Sequence, residues 1–237
     1  MKHYKQSGFT LIEVLIAVTI TAIIGVGASQ VLSSATFTQS ALLTRSTEIK
    51  NLQRLDIFLR KDFSQITNRK ARNVYSDLDP AITNQGDNLI EFSYSGVPIE
   101  SYAIDKKQSN ILRAGYSVRT HDHEYCQDAE LPENPSGGNC MVRLHWPVLD
   151  AASNTTPIIQ ILIDDISEAS FSFRGLLIDT EDENNSVRSN DWQEDWPPFL
   201  SNNNMIADLV QIKLVLVTPS YGEIERIFEV PRFALSN

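Results

Sequence analysis

Glu13 stands where a charged group is hardest to explain. Phe9 to Ala28 reads FTLIEVLIAVTITAIIGVGA, an apolar run with one carboxylate five residues in. Such a group inside a membrane span costs at least about 2.5 kcal/mol and needs a partner. Gly8 is the small residue immediately before the run. A cut after Gly8 would leave Phe9 as a new N-terminus, and its α-amino group is the natural partner for Glu13, above all in a neighbouring subunit. The pair would set the axial register of packed helices. The alternative is a glutamate near enough to the interface to snorkel.

Other residues capable of chemistry are few. Cys126 and Cys140 lie fourteen apart in a polar stretch with Pro135, Gly137 and Gly138. Outside the cytoplasm they read as a disulfide, worth about 3 kcal/mol for a loop of this size. His121, His123 and Glu124 offer a His-x-His that suits zinc, but no third and fourth ligand follow at a recognisable spacing, and His145 is isolated in a strand pattern. Asp179, Glu181, Asp182 and Glu183 offer hard oxygen ligands but lack the glycine and distal glutamate of a calcium loop. Both stretches read as solvated loops. No nucleophile elbow, phosphate loop or dinucleotide fingerprint is present. The expectation is neither an enzyme nor a cofactor protein.

Charge narrows the class further. The 237 residues carry a formal charge of −10, unevenly spread. Residues 1–8 hold +2 (Lys2, Lys5), residues 9–72 hold +4, and residues 73–237 hold −16. An acidic C-terminal two-thirds argues against nucleic acid, which selects positive charge. After Lys5 no Lys or Arg occurs until Arg45. The positive-inside rule therefore puts the leader in the cytoplasm and the rest of the chain outside. Phe9–Ala28 is long enough to cross a bilayer as a helix.

These residues need elements to hold them. Ile49, Leu52, Leu55, Leu59, Phe63 and Ile66 recur at helical spacing after Leu42, so the helix is expected to continue to about Arg72, roughly 95 Å from Phe9. Gly25 and Gly27 are expected to weaken it locally. Beyond Pro80 the pattern turns to strands: Leu89–Tyr94, Met141–Trp146, Ile158–Ile163 and Ala169–Arg174. Ser101–Ile104 with Ile111–Arg113 reads as a hairpin, as do Leu209–Thr218 and Glu223–Val230. The face of Leu52, Leu55, Leu59 and Phe63 requires a sheet as cover. Trp192 and Trp196 either anchor their loop on the sheet or form a partner surface. The expected fold is α+β, a long N-terminal transmembrane and amphipathic helix packed on an antiparallel β-sheet. Its parts are a leader (1–8), a membrane and assembly segment (9–30), an amphipathic helix outside the cytoplasm (31–72) and a β head beyond it (73–237).

Gly8-Phe9-Thr10-Leu11-Ile12-Glu13 resembles the leader site of type IV pilins and type II secretion pseudopilins. The resemblance implies a pilin-like fold, cleavage after Gly8 by a prepilin peptidase and N-methylation of Phe9. Further along, Leu52-Gln53-Arg54-Leu55, Leu59-Arg60-Lys61-Asp62-Phe63, Arg69 and Arg72 are similar to the stem of the J-type minor pseudopilins. Ile163-Asp164-Asp165-Ile166, Phe171-Ser172-Phe173, Asp191-Trp192, Trp196-Pro197 and Tyr221-Gly222-Glu223-Ile224-Glu225-Arg226 are similar to later blocks of that family. Met205-Ile206-Ala207-Asp208 departs from it where Leu-Pro is expected. The resemblance implies a tip subunit of a periplasmic pseudopilus that helps initiate the fibre and so export folded proteins across the outer membrane. The implied partners are the I, K and H types, the major pseudopilin G, the prepilin peptidase and the inner-membrane assembly platform. It places the chain in the inner membrane, single-pass, with its head in the periplasm. A minor pilin of a type IV pilus is the second reading. A membrane-tethered metal-dependent enzyme using His121 and His123 is the third.

Overall fold

The computed structural model describes residues 9–96, 110–127, 138–151, 155–179, 186–188, 191–199 and 205–232. The leader, the expected strand Ser101–Ile104 and the acidic residues Glu181–Glu183 lie outside the described residues. The chain divides into two compact units, Met1–Lys50 and Asn51–Asn237. One helix, α1 (Leu11–Ser64), runs through both.

In the first unit α1 continues through Gly25 and Gly27, where an added Cβ would meet nothing within 4 Å. The local weakening expected there does not break the helix, because intrahelical hydrogen bonds survive the loss of side chains.

In the second unit the last turns of α1 are amphipathic. Leu55, Leu59 and Phe63 are buried, and the partly buried Leu52 packs against the same cluster. The helix ends at Ser64, eight residues short of the expected Arg72. Its last turn tightens as the Gln65 N–H donates to Asp62 O (3.0 Å). The chain then pairs with the strand Ile90–Ser95: Thr67 N–H donates to Ser93 O (2.9 Å) and Ser95 N–H to Gln65 O (2.8 Å). Ile66 keeps the helical spacing yet is buried from an extended segment. An available strand edge, which periodicity does not register, stops the helix.

Two antiparallel sheets build the rest. The first has five strands in sequence order, β3 (Ile82–Thr83), β4 (Ile90–Ser95), β5 (Ile111–Thr120), β6 (Asn139–Trp146) and β7 (Ile158–Ile166). The second has the order β11 (Gly222–Glu229), β10 (Met205–Thr218), β8 (Glu168–Asp179), β9 (Ser186–Arg188). A two-stranded ribbon, β1 (Ala71–Arg72) with β2 (Leu78–Asp79), stands apart. Ile111–Arg113 pairs with Ser93–Ser95 of β4. The chain changes sheets within a few residues: β7 ends at Ile166 after Asp165 at φ 51°, and Ser167 donates to Val217 O (2.9 Å).

Phe63 sits where α1 meets both sheets. Its ring makes edge contacts with Phe92 (5.5 Å), Tyr116 (5.9 Å), Phe171 (5.9 Å) and Phe228 (5.3 Å). Beside it Asp62 is 1% exposed. The Asp62 Oδ2 atom accepts from Tyr116 Oη (2.7 Å) and Arg143 Nε (2.6 Å), and Oδ1 accepts from Arg143 Nη2 (3.1 Å). Tyr94 Oη lies 2.7 Å from His145 Nδ1 and accepts from Arg143 Nη2 at 3.5 Å. Burial raises the pKa of Tyr116 and Tyr94. Burial, with the Arg143 charge beside it, holds His145 below its usual pKa.

β6 is buried along both faces. Met141 joins the main core, and Arg143 and His145 share its face. Cys140, Val142, Leu144 and Trp146 form a second cluster with Cys126. A disulfide joins Cys126 to Cys140, with Cα atoms 6.0 Å apart, and so holds the 3₁₀ turn Glu124–Cys126 over the outer face.

Asp62→Ala should destabilise the head by about 3–5 kcal/mol, because Arg143 is left buried without its counter-ion. Asp62→Leu with Arg143→Met should recover most of that. Urea unfolding of the detergent-solubilised chain, followed by tryptophan fluorescence, measures both; an Asp62→Ala loss under about 1 kcal/mol would remove the pair from the account. His145 adds a pH dependence of known sign. The unfolded chain takes the proton first, so this contribution is intact above about pH 6.5 and is lost as the pH falls below it. His145→Gln should therefore narrow the difference in urea midpoint between about pH 7.5 and about pH 5.5.

Candidate functional site

The N-terminal site starts from Thr10 and Glu13. Thr10 caps α1: its backbone N–H and its hydroxyl both donate to Glu13 Oε2 (3.1 and 3.0 Å), while Glu13 N–H donates to Thr10 Oγ1 at 3.4 Å. This is a capping box, Thr-x-x-Glu, and it fixes the carboxylate at the helix entrance. The Thr-x-x-Glu spacing is readable in the sequence, but weighing Glu13 only against the Phe9 α-amino group and the membrane interface overlooks it. Among the described residues Oε1 accepts nothing, so the carboxylate keeps an oxygen for an external donor. Phe9, the proposed source of that donor, is 86% exposed.

From Phe9 to Leu43 every described side chain of the helix is exposed. Leu11 is 85% exposed, Ile23 72% and Phe37 77%. By length and composition α1 suffices to cross a membrane. Its hydroxyls are compatible with lipid, since Thr19 donates to Ile16 O (2.8 Å) and Thr21 to Ala17 O (2.7 Å). An apolar rod this exposed must be covered by lipid or by other helices.

The tryptophan loop separates its two rings. Trp196 is buried against Phe173, with ring centroids 6.2 Å apart. It fits because residue 175 is glycine: a Cβ there would come within 2.5 Å of the indole. Asn84 clamps the loop, accepting from Trp196 N–H (2.7 Å) and donating to Glu194 O (2.7 Å). Gln193 and Phe173 exchange two backbone bonds of 2.8 Å. Trp196 is thus an anchor between the loop and the sheet. Trp192 stays half-exposed, with Arg174 4.2 Å and Lys213 4.8 Å from its ring centre.

The histidines do not converge. His123 accepts from Tyr125 N–H at 3.1 Å and caps the 3₁₀ turn, so one ring nitrogen is occupied. His145 is bonded to Tyr94 in the core. Both ring nitrogens of His121 are buried without a partner among the described residues. Among those residues no group of three or more His, Cys, Asp or Glu side chains could hold a metal ion. The missed residues are Asp62, Tyr94, Tyr116 and Arg143. The signal for Asp62 was present, since it lies seven residues after Leu55 and three after Leu59, on the apolar face.

Comparison with known proteins agrees with this geometry. Residues 3–29 match the prokaryotic N-terminal methylation motif. Residues 30–230 match the family described as type II secretion system (T2SS), protein J. The chain is 27% identical over 228 residues to type II secretion system protein J of Escherichia coli, covering 94% of this chain and 95% of that one. It is 25% identical over 227 residues to the protein of the same name from Klebsiella pneumoniae, at 94% coverage of each. A solved structure of the GspK-GspI-GspJ complex from enterotoxigenic E. coli contains a chain that superimposes with a TM-score of 0.50 at 25% identity, covering 77% of this chain and 97% of that one. With a family match over most of its length and a methylation motif ahead of it, this chain belongs to the type II secretion system protein J family.

Proposed function

We propose that this chain is a minor pseudopilin that acts by binding alone. It helps to initiate a short periplasmic fibre at whose tip it stands, and growth of that fibre drives folded proteins across the outer membrane. One observation carries the reading: a capped apolar helix whose described side chains are exposed from Phe9 to Leu43, continuing into a head with a densely bonded polar core. The helix is built to be covered by other molecules, and the head to stay rigid while that happens. In this reading the leader is cytoplasmic and is removed after Gly8, Phe9 is N-methylated, and the head is periplasmic. Glu13 accepts from the α-amino group of a neighbouring subunit through the oxygen that the capping box leaves open. Trp192 belongs to the head's contact surface. The solved relative was crystallised with I- and K-type subunits, and the same types are proposed as neighbours here, with H- and G-type subunits below and the assembly platform at the membrane.

The reading is tested by purifying the detergent-solubilised chain with the I- and K-type subunits of the same organism. Gel filtration with light scattering should show a stoichiometric complex. Three folded proteins that elute separately would sink the proposed contacts with I- and K-type subunits. The N-terminal chemistry is tested independently. Gly8→Val should block removal of the leader, leaving a chain longer by eight residues on mass spectrometry. Glu13→Ala should be cut normally yet fail to restore secretion to a strain lacking the wild-type chain. Full secretion by Glu13→Ala would remove it from the assembly mechanism.

A further inference from the structure

The ribbon after α1 has no part in the reading above, and its construction is unusual. Five residues, Asn73–Asp77, close the turn between β1 and β2, and Asn73 organises it through its backbone and its side-chain amide. Asn73 N–H donates to Asp77 O (2.9 Å) and Ser76 N–H to Asn73 O (3.0 Å). Asn73 Oδ1 accepts from the N–H groups of Tyr75 and Asp77, each at 3.0 Å, and its Nδ2 donates to Asp79 Oδ1 at 3.1 Å. Arg72 Nη1 donates to Ser76 O (3.0 Å). Ser76, a non-glycine residue, is held at φ 72°, a conformation that costs energy unless its surroundings impose it. The base is tied to the head, since Arg72 N–H donates to Asp150 Oδ1 (2.8 Å) and Ala151 N–H to Arg72 O (2.7 Å).

This rigid frame carries its apolar side chains outward. Tyr75 is 82% exposed, Leu78 57% and Val74 53%. Single exposed apolar residues are ordinary. Three within five positions, on a turn already fixed in shape, give a partner contact area with little ordering cost on binding. Tyrosine is among the residues enriched at such contacts. Residues 63–76 contain Arg69, Lys70 and Arg72 and no acid, a local charge of +3 in a chain of −10. All three are exposed. The same ribbon carries Asp77 and Asp79, and Asp150 accepts from the Arg72 N–H at its base. An anionic lipid surface would meet those three carboxylates as well as the cations, whereas a protein surface can match each charge individually.

We propose that the β1–β2 ribbon is a docking knob for a neighbouring subunit of the fibre. Tyr75, with Val74 and Leu78, enters an apolar recess on the neighbour's head, and Arg69, Lys70 and Arg72 face carboxylates at its rim. The proposal rests on the assembly reading above and adds the surface through which the head binds.

The test uses the full chain with the I- and K-type subunits of the same secretion system. Tyr75→p-benzoylphenylalanine, irradiated in secreting cells, should yield a crosslink that mass spectrometry maps to an acidic segment of one of those heads. In detergent, Tyr75→Ser should weaken the complex about tenfold or more. Arg69→Glu with Lys70→Glu should slow its formation and remove most of its salt dependence. These side chains are exposed, so the urea midpoint of each variant should stay at the wild-type value, which separates lost docking from lost folding. A complex that forms in the wild type and equally well in Tyr75→Ser overturns the knob and leaves the assembly reading standing. A crosslink only to phospholipid overturns it in favour of a membrane contact. A wild-type chain that forms no complex overturns both.

Discussion

The rest of the head depends on holding one carboxylate out of water at the end of a helix. Asp62 occupies a position on the apolar face of α1. An ionised group there is tolerable only if fixed donors replace its hydration. Arg143 from β6 and Tyr116 from β5 supply them. The requirement reaches further, because Arg143 is itself buried and extends toward Tyr94 and, through it, His145. Four elements, α1, β4, β5 and β6, are thereby held in one register. Hydrophobic contact alone tolerates sliding. A bidentate carboxylate–guanidinium pair flanked by a hydroxyl does not, since a displacement of even one residue would leave both charges unpaired.

Phe63 and Asp62 divide this work between them. The phenyl ring supplies non-directional burial against aromatic residues of both sheets. The neighbouring carboxylate supplies direction. That division accounts for the abrupt end of α1 at Ser64: once both side chains are placed, the backbone at Gln65 and Thr67 bonds to Ser93–Ser95, the end of β4 that β3 leaves unpaired. The same economy appears on the far side of β6. A strand buried on both faces needs cover on both, and the outer cover is a short loop with little hydrophobic content of its own. The Cys126–Cys140 disulfide holds that loop where packing alone would hold it weakly.

Much of this was legible in the sequence wherever one residue type had one physical reason to be there. The apolar run with its single glutamate, the stripe of Leu55, Leu59 and Phe63, and the alternation of Ala169, Phe171 and Phe173 each gave the right element. The chain was harder to read where a residue served two purposes. Glu13 was read as an intermolecular group, and its local bond to Thr10 was overlooked. Asp62 belongs to the run that resembles the J-type stem and falls on the helix stripe, yet neither fact names its buried partners. Arg143 and His145 lie among apolar residues of a strand, where parity places them inward but does not name their partners. The end of the helix was misjudged for a different reason. Ile66 continues the periodicity, and no local residue announces that β4, far along the chain, will offer a better set of backbone partners. Trp192 and Trp196 could not be told apart from sequence, since the difference is made by the missing Cβ of Gly175.

The covalent path from the apolar segment to the head passes through Asn51–Ser64, which lends weight to the way those residues are secured. Arg54 donates to Ile161 O and Leu162 O of β7 (3.0 and 2.8 Å), so the helix also closes carbonyls on an edge strand. Asp56 pairs with Arg60 at 3.2 Å on the same helix and approaches Arg226 of β11 at 4.0 Å. These outer contacts are exposed and individually weak. The buried pair and the phenylalanine set the geometry, and the outer contacts keep water and competing chains away from two sheet edges. A subunit that assembles with others depends on this arrangement. Its output is the position of one surface relative to one helix, and any looseness between Asn51–Ser64 and the sheets would be lost affinity at every contact made by the head. The polar core is therefore better understood as a fixing device than as a source of net stability, which apolar residues of similar size would supply equally well.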